Sequence, residues 1–139
     1  MNTVWILVCD AGRGRLFETR GDNPTWNLLE TFGNADSRAK VEQTGEHFSK
    51  DVEKRQFVHS MVTMLDQAMR SKRFDRWVLV APPHALGMMK NDLTPELTKH
   101  LVTTVDKDLT HIDVADLAAR LGETVRIPLD ERGHAKHAH

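Results

Sequence analysis

Asp10, Arg13 and Arg15 share one short stretch, "CDAGRGR" (residues 9–15), directly after the apolar run "TVWILVCD". A Gly-x-Gly in this place is where a phosphate loop would begin. A dinucleotide fingerprint needs a strand, a Gly-rich turn and then a helix, because the helix N-terminus supplies the amides that meet the phosphates. Here "RLFETR" follows, with strand character and no helical period, and the position three after Gly14 is Phe17 rather than glycine. The Lys-Ser/Thr pair of a P-loop is missing as well. The stretch therefore reads as a hairpin connection. Asp10 would bond turn amides and Gly12 would accept a positive φ. Arg13 and Arg15 would sit at the end of the sheet near Asp10.

The remaining reactive side chains can be tested against known chemistries. Two-metal nuclease chemistry needs converging carboxylates that hold two Mg²⁺ ions. Asp10 and Glu53 are near suitable positions, but the run "WVLVAPP" ends its strand without a carboxylate. Asp106 and Asp108 precede a helix, where acids serve as caps and loop groups. The histidines show no zinc spacing such as His-Glu-x-x-His, and Cys9 has no second cysteine to join it. His134, His137 and His139 form a spaced tail cluster without a fixed shell around them. Ser60 stands mid-helix with no nucleophile elbow. No catalytic residue, metal or cofactor is assigned, and the reading leans away from an enzyme. A metal-dependent or ester hydrolase working through Asp10, the 33–48 loop or Asp106/Asp108 is the alternative. The candidates for binding are Asp10, Arg13 and Arg15 at the first turn, His84 and Lys90 after the double proline, and Asp106, Lys107 and Asp108 after the last strand.

These groups are positioned by a simple succession of elements. The chain has 139 residues and 40% apolar content, enough for one core. Thr3–Cys9 is apolar on both alternating faces, as a central strand must be. Arg15–Arg20 and Trp26–Phe32 are half polar and nearer an edge, with the turn "RGDNPT" between them. Short connections join the three into an antiparallel meander. Gly33–His47 is a long polar loop. Ser49 can cap a helix in which Phe57, Met61, Met64/Leu65 and Ala68 recur at helical spacing, widened by Val58, Val62 and Met69. Trp77–Ala81 is a buried parallel strand, stopped by Pro82 and Pro83. A short helix over His84–Asn91, another from Thr94-Pro95, a fifth strand at Leu101–Val105 and a helix from Asp113 to Leu121 complete the order. Gly122 is expected to end that helix, with a further edge strand at Thr124–Pro128. The fold class is α/β: a ribonuclease H-like three-layer domain with a mixed five-stranded sheet in order 3-2-1-4-5 and helices on both faces. It spans residues 1–122. Residues 123–139 form a C-terminal extension whose tail reads as disordered.

Charge bounds the partners. The net charge is −1, so no global basic signature for nucleic acid exists. Residues 50–76 nevertheless hold seven Lys/Arg against four Asp/Glu, and residues 103–131 hold three against seven. A single cysteine excludes an internal disulfide. "TVWILVC" lacks the features of an export signal and no segment is long enough to span a bilayer, so a cytoplasmic protein with no membrane partner is expected.

Three blocks carry a resemblance: "WILVCDAGRGRLFE", "FDRWVLVAPPHALGMMK" and "VDKDLTHIDVADLAARL". Together, from Trp5 to Leu121, they resemble the bacterial family "protein required for attachment to host cells". That family is similar to the central domain of the archaeal and eukaryotic peptide-chain release factor, which implies the same ribonuclease H-like architecture. In the release factor the loop before the long helix presents Gly-Gly-Gln. The equivalent segment here, Gly33–Ser49, contains Gln43-Thr44-Gly45-Glu46, which makes Gln43 a further candidate but leaves the motif absent. The resemblance implies a non-catalytic binding domain whose partner is RNA or the ribosome. A protein-interaction module affecting attachment is the third reading.

Overall fold

A computed structural model describes residues 3–20, 23–33 and 50–125. The strands are β1 (Thr3–Cys9), β2 (Arg13–Arg20), β3 (Asn23–Gly33), β4 (Arg76–Ala81) and β5 (Leu101–Asp106). The helices are α1 (Lys50–Arg70), α2 (Pro83–Asp92), α3 (Pro95–His100) and α4 (Val114–Val125). All five strands form one sheet in the order β3-β2-β1-β4-β5. β1 pairs antiparallel with β2, and β2 with β3. β4 lies parallel to β1, and β5 parallel to β4. The mixed sheet is therefore the one the element order requires: tight turns give antiparallel neighbours, and helical crossovers give parallel ones.

β1 is buried along its whole length because both of its faces are covered. Trp5, Leu7 and Cys9 join Leu16, Trp77 and Leu79 under α1, α2 and α3, which contribute Met61, Leu65, Met89 and Leu97. Val4, Ile6 and Val8 join Phe17, Val78 and Val80 on the opposite face, under Leu117 and Leu121 of α4. Three layers result, with the core on both sides of the sheet. The methionines of α1 are packing groups in this core: Met61 is fully buried and Met69 nearly so. Two indole N–H groups are satisfied as burial requires, Trp77 Nε1 by the Leu97 carbonyl at 2.8 Å and Trp5 Nε1 by Glu18 at 3.0 Å.

α1 ends in a Schellman motif. The amide of Lys72 donates to the Met69 carbonyl and that of Arg73 to the Ala68 carbonyl, each at 3.0 Å. Lys72 stands in the left-handed region at φ 59°, the position glycine usually fills. Thr94 caps α3 by accepting from the Leu97 amide at 3.2 Å, while its hydroxyl donates to Asp66 of α1.

Some boundaries differ from the sequence-based expectation. β2 begins at Arg13 and β3 at Asn23, because the hairpin ladder runs to its turns, with Cys9 opposite Gly14 and Arg20 opposite Asn23. α4 does not stop at Gly122 but continues to Val125, so the expected edge strand is replaced by helix at Thr124 and Val125. Leu117 and Leu121 bury one side of that helix, whereas a Cβ at Gly122 would meet open space. A glycine there costs the helix only about 1 kcal/mol, less than the buried leucines supply. The remainder of that strand, the cap at Ser49, the 34–49 part of the polar loop with Gln43, and the tail from 126 lie outside the described residues. Among the described residues, no helix is long and apolar enough to cross a membrane.

Candidate functional site

The first turn is built as its residue types dictate. Asp10 Oδ1 accepts from the amides of Gly12 at 2.7 Å and Arg13 at 2.8 Å, and the Asp10 amide donates to the Arg13 carbonyl at 2.9 Å. This is an Asx turn, in which the carboxylate satisfies the donors of a backbone that reverses direction. The second glycine has a different task. A Cβ at Gly14 would lie 3.1 Å from both Cys9 Cβ and Met61 Sδ, so its absence lets α1 settle onto the sheet.

Arg13 and Arg15 point to different fates. The Arg13 side chain is 56% exposed, and its guanidinium lies 3.9 Å from Asp10 Oδ2 and 3.5 Å from His111 Nδ1. The Arg15 guanidinium is turned inward and donates to the carbonyls of Leu109, Thr110 and Ile112. It thereby holds the segment between β5 and α4 against β2. Burial lowers its pKa, and the Asp113 charge opposes that shift. Asp108 closes the same segment: its Oδ1 accepts from the Thr110 hydroxyl at 2.8 Å and the Thr110 amide at 3.3 Å. Those hydrogen bonds, helped by the charges of His111 and Arg13, hold its carboxyl below the usual range. Asp113 caps α4 through the Asp116 amide at 3.1 Å.

Asp10, Arg13, Asp108 and His111 therefore meet beyond the C-terminal ends of β1 and β5, at the side where open α/β sheets tend to take ligands. Asp106 ends β5, and Lys107 follows it, exposed. His84 does not join them. It lines a groove of about 310 Å³ with Asp51, Arg55, Met88 and Asn91, between α1 and α2. Lys90 is exposed on α2. Among the described residues, no three His, Cys, Asp or Glu side chains gather as a metal site would need, so Asp10, Asp106 and His84 do not form such a cluster. Cys9 is fully buried, which pushes its thiol up to about 12, far from the range of a nucleophilic cysteine.

One pairing has no signature in the sequence. His59 Nδ1 lies 2.9 Å from Asp92 Oδ2, linking α1 to the end of α2. The two line a second groove of about 490 Å³ with Val52, Arg55, Gln56 and Ser60. They stand 33 positions apart, and only the crossover through β4 brings them together.

A model of the family described as "Protein required for attachment to host cells" matches residues 41–121. The chain belongs to that family. In this host-attachment domain the match covers α1 through most of α4, with both grooves and the Asp108–His111 segment. No curated protein matches the chain. Among solved structures it is similar to an archaeal translation termination factor, at 12% identity and a TM-score of 0.48, over 88% of this chain and 38% of that one. An "Archaeal protein" aligns at 12% identity and a TM-score of 0.49, over 95% and 44% of the two chains. The Ppx/GppA phosphatase of Aquifex aeolicus aligns at 14% and 0.42, over 76% and 36%. The host-attachment chain thus spans less than half the length of each of these structures.

Proposed function

We propose that this member of the host-attachment family is a non-catalytic binding domain whose partner is RNA, with the ribosome as the natural source of it. The observation that carries this reading is how the acids are used. Asp10, Asp108 and Asp113 each accept from backbone amides of their own turn or cap. Asp75 accepts from the Thr3 amide, Glu18 from the Trp5 indole, and Asp66 from Thr94 and Arg70. Carboxylates employed this way help to build the fold, each tied to a backbone amide, an indole, a hydroxyl or an arginine. Arg20, Lys72, Lys90, Lys99 and Lys107 face solvent, so a chain of net charge −1 still presents cations to phosphates. A cytoplasmic location goes with that proposed partner.

Fluorescence anisotropy with a single-stranded RNA, alongside sedimentation with ribosomes, tests the reading. Binding is expected at 50 mM salt, falling steeply as salt rises, with the RNA left intact. No binding by either method at low salt would overturn it, and Mg²⁺-dependent cleavage of the RNA would replace it with the hydrolase reading.

A further inference from the structure

The end of the sheet opposite the predicted site carries a second arrangement of charge. Arg20 closes β2 opposite Thr3, and Arg76 opens β4 opposite Val4, so the two flank the start of β1. Neighbouring strands lie about 4.8 Å apart, which sets their backbones roughly 10 Å from one another. The α1–β4 connection, "RSKRFDR", ends in the same place. Its Arg73 guanidinium sits 5.0 Å over the Trp5 ring. Lys99 comes in from the last turn of α3, just before β5 begins beside Trp77. Arg20, Lys72 and Lys99 are exposed and, among the described residues, pair with no carboxylate. Arg76 Nη1, like Arg15 Nε at the other end, is buried with no hydrogen-bond partner among them. The acids nearby are fewer than the cations: Asp75 accepts from the Thr3 amide, Glu18 accepts from the Trp5 indole, and Asp66 is neutralised by Arg70.

We infer that this end, built from Arg20, Lys72, Arg73, Arg76 and Lys99, is the surface that receives the phosphate backbone of single-stranded RNA. The inference rests on the RNA reading above and adds the place. Guanidinium forks and lysine ammonium groups without carboxylate partners suit phosphodiester oxygens, which arrive in series along a chain. Among the described residues, the exposed large apolar side chains, Leu28, Leu29 and Val114, lie at the middle of β3 and at the start of α4, outside this end. An anionic membrane would be held by charge together with inserted apolar groups, and the described residues supply none at this end. By contrast, the predicted site sets its exposed Arg13 beside Asp10 and Asp108, whose charges repel a phosphate.

The test compares two variants of the full chain by RNA anisotropy across a salt series, with unfolding midpoints measured to confirm that both fold. One carries Arg20→Gln, Lys72→Gly and Lys99→Gln; the other carries Arg13→Gln and Lys107→Gln. The first is expected to bind RNA roughly tenfold or more weakly at low salt, and its log–log salt slope should flatten by about 2, as three lost contacts to a single strand require. The second should stay within about threefold of the unaltered chain. The reverse pattern, or equal losses, would overturn the placement while leaving RNA as the partner. An unaltered chain that ignores RNA would overturn both readings, and so would one that binds phosphatidylserine vesicles instead.

Discussion

The two ends of this sheet carry the same residue types and use them in opposite ways. Beyond the C-terminal ends of the parallel strands, Asp10, Arg13, Arg15, Asp108 and His111 are knitted into turns and into one another. At the N-terminal ends, Arg20, Lys72 and Lys99 stand exposed with no carboxylate partner among the described residues. β2 holds both cases within six residues: Arg15 is consumed by carbonyls, and Arg20 faces solvent. An arginine near a sheet end is therefore no sign of a ligand site until its hydrogen bonds have been accounted for. Where open α/β folds usually keep their chemistry, this chain keeps its structural ties.

Arg15→Ala should make that contrast plainest. It leaves the carbonyls of Leu109, Thr110 and Ile112 without their charged donor and loosens the segment leading into α4. Hydrogen bonds to a charged group contribute about 1.5–3 kcal/mol, so a loss of about 2 kcal/mol is expected in urea unfolding. Arg20→Ala, on the same strand, should change stability by less than about 0.5 kcal/mol. Equal losses at both positions would show that the ends are not built differently.

Much of this layout can be traced to particular residues in the sequence. The unbroken apolar runs at Thr3–Cys9 and Trp77–Ala81 declare two central strands, because only a sheet covered on both faces tolerates them. The missing helical period after Gly14 marks "CDAGRGR" as a hairpin. The end of α4 was not legible, since Gly122 is a stop signal in isolation and tolerable once Leu117 and Leu121 anchor the helix. The site was less legible than the fold. Gathering Arg13 with His111, or His59 with Asp92, depends on tertiary crossings 98 and 33 residues long. The inward turn of Arg15 follows from three carbonyls whose positions no spacing encodes. The basic end was visible only as an excess of charge over residues 50–76; the register that sets Arg20 and Arg76 on either side of β1 came from the sheet.

Two substitutions of about equal size act in opposite directions. Asp10→Ala removes the acceptor for two turn amides and should cost about 1 kcal/mol, with little effect on RNA affinity, if the acid belongs to the hairpin alone. Lys72→Gly should stabilise the protein by about 1 kcal/mol, because glycine adopts the left-handed conformation at φ 59° without the steric penalty of a Cβ. The same change removes one cation from the basic end. A protein that unfolds later yet binds RNA with a slope flattened by about 0.7 would separate the two roles of that residue. A gain in stability with the slope unchanged would strike Lys72 from the RNA surface.

The smallest effect comes from Asp108, and its sign can be worked out. Its folded pKa is depressed, chiefly by the Thr110 hydroxyl and amide. The folded state therefore binds the proton less readily than the unfolded chain. The resulting stabilisation is present in full above the unfolded carboxylate pKa and is lost as pH falls through the folded value. Asp108→Asn removes this contribution, so the variant should be slightly less stable than the unaltered chain at pH 6. The gap should close progressively below about pH 4, where free carboxylates begin to protonate. The side chain lies at the surface, so added salt should weaken the part owed to His111 and Arg13 and spare the part owed to Thr110. Unfolding midpoints from pH 6 to pH 2, at low and high salt, measure both components. A gap that stays constant with pH would mean that Asp108 contributes through shape alone, and that this end of the sheet is held by Arg15 without the carboxylate's help.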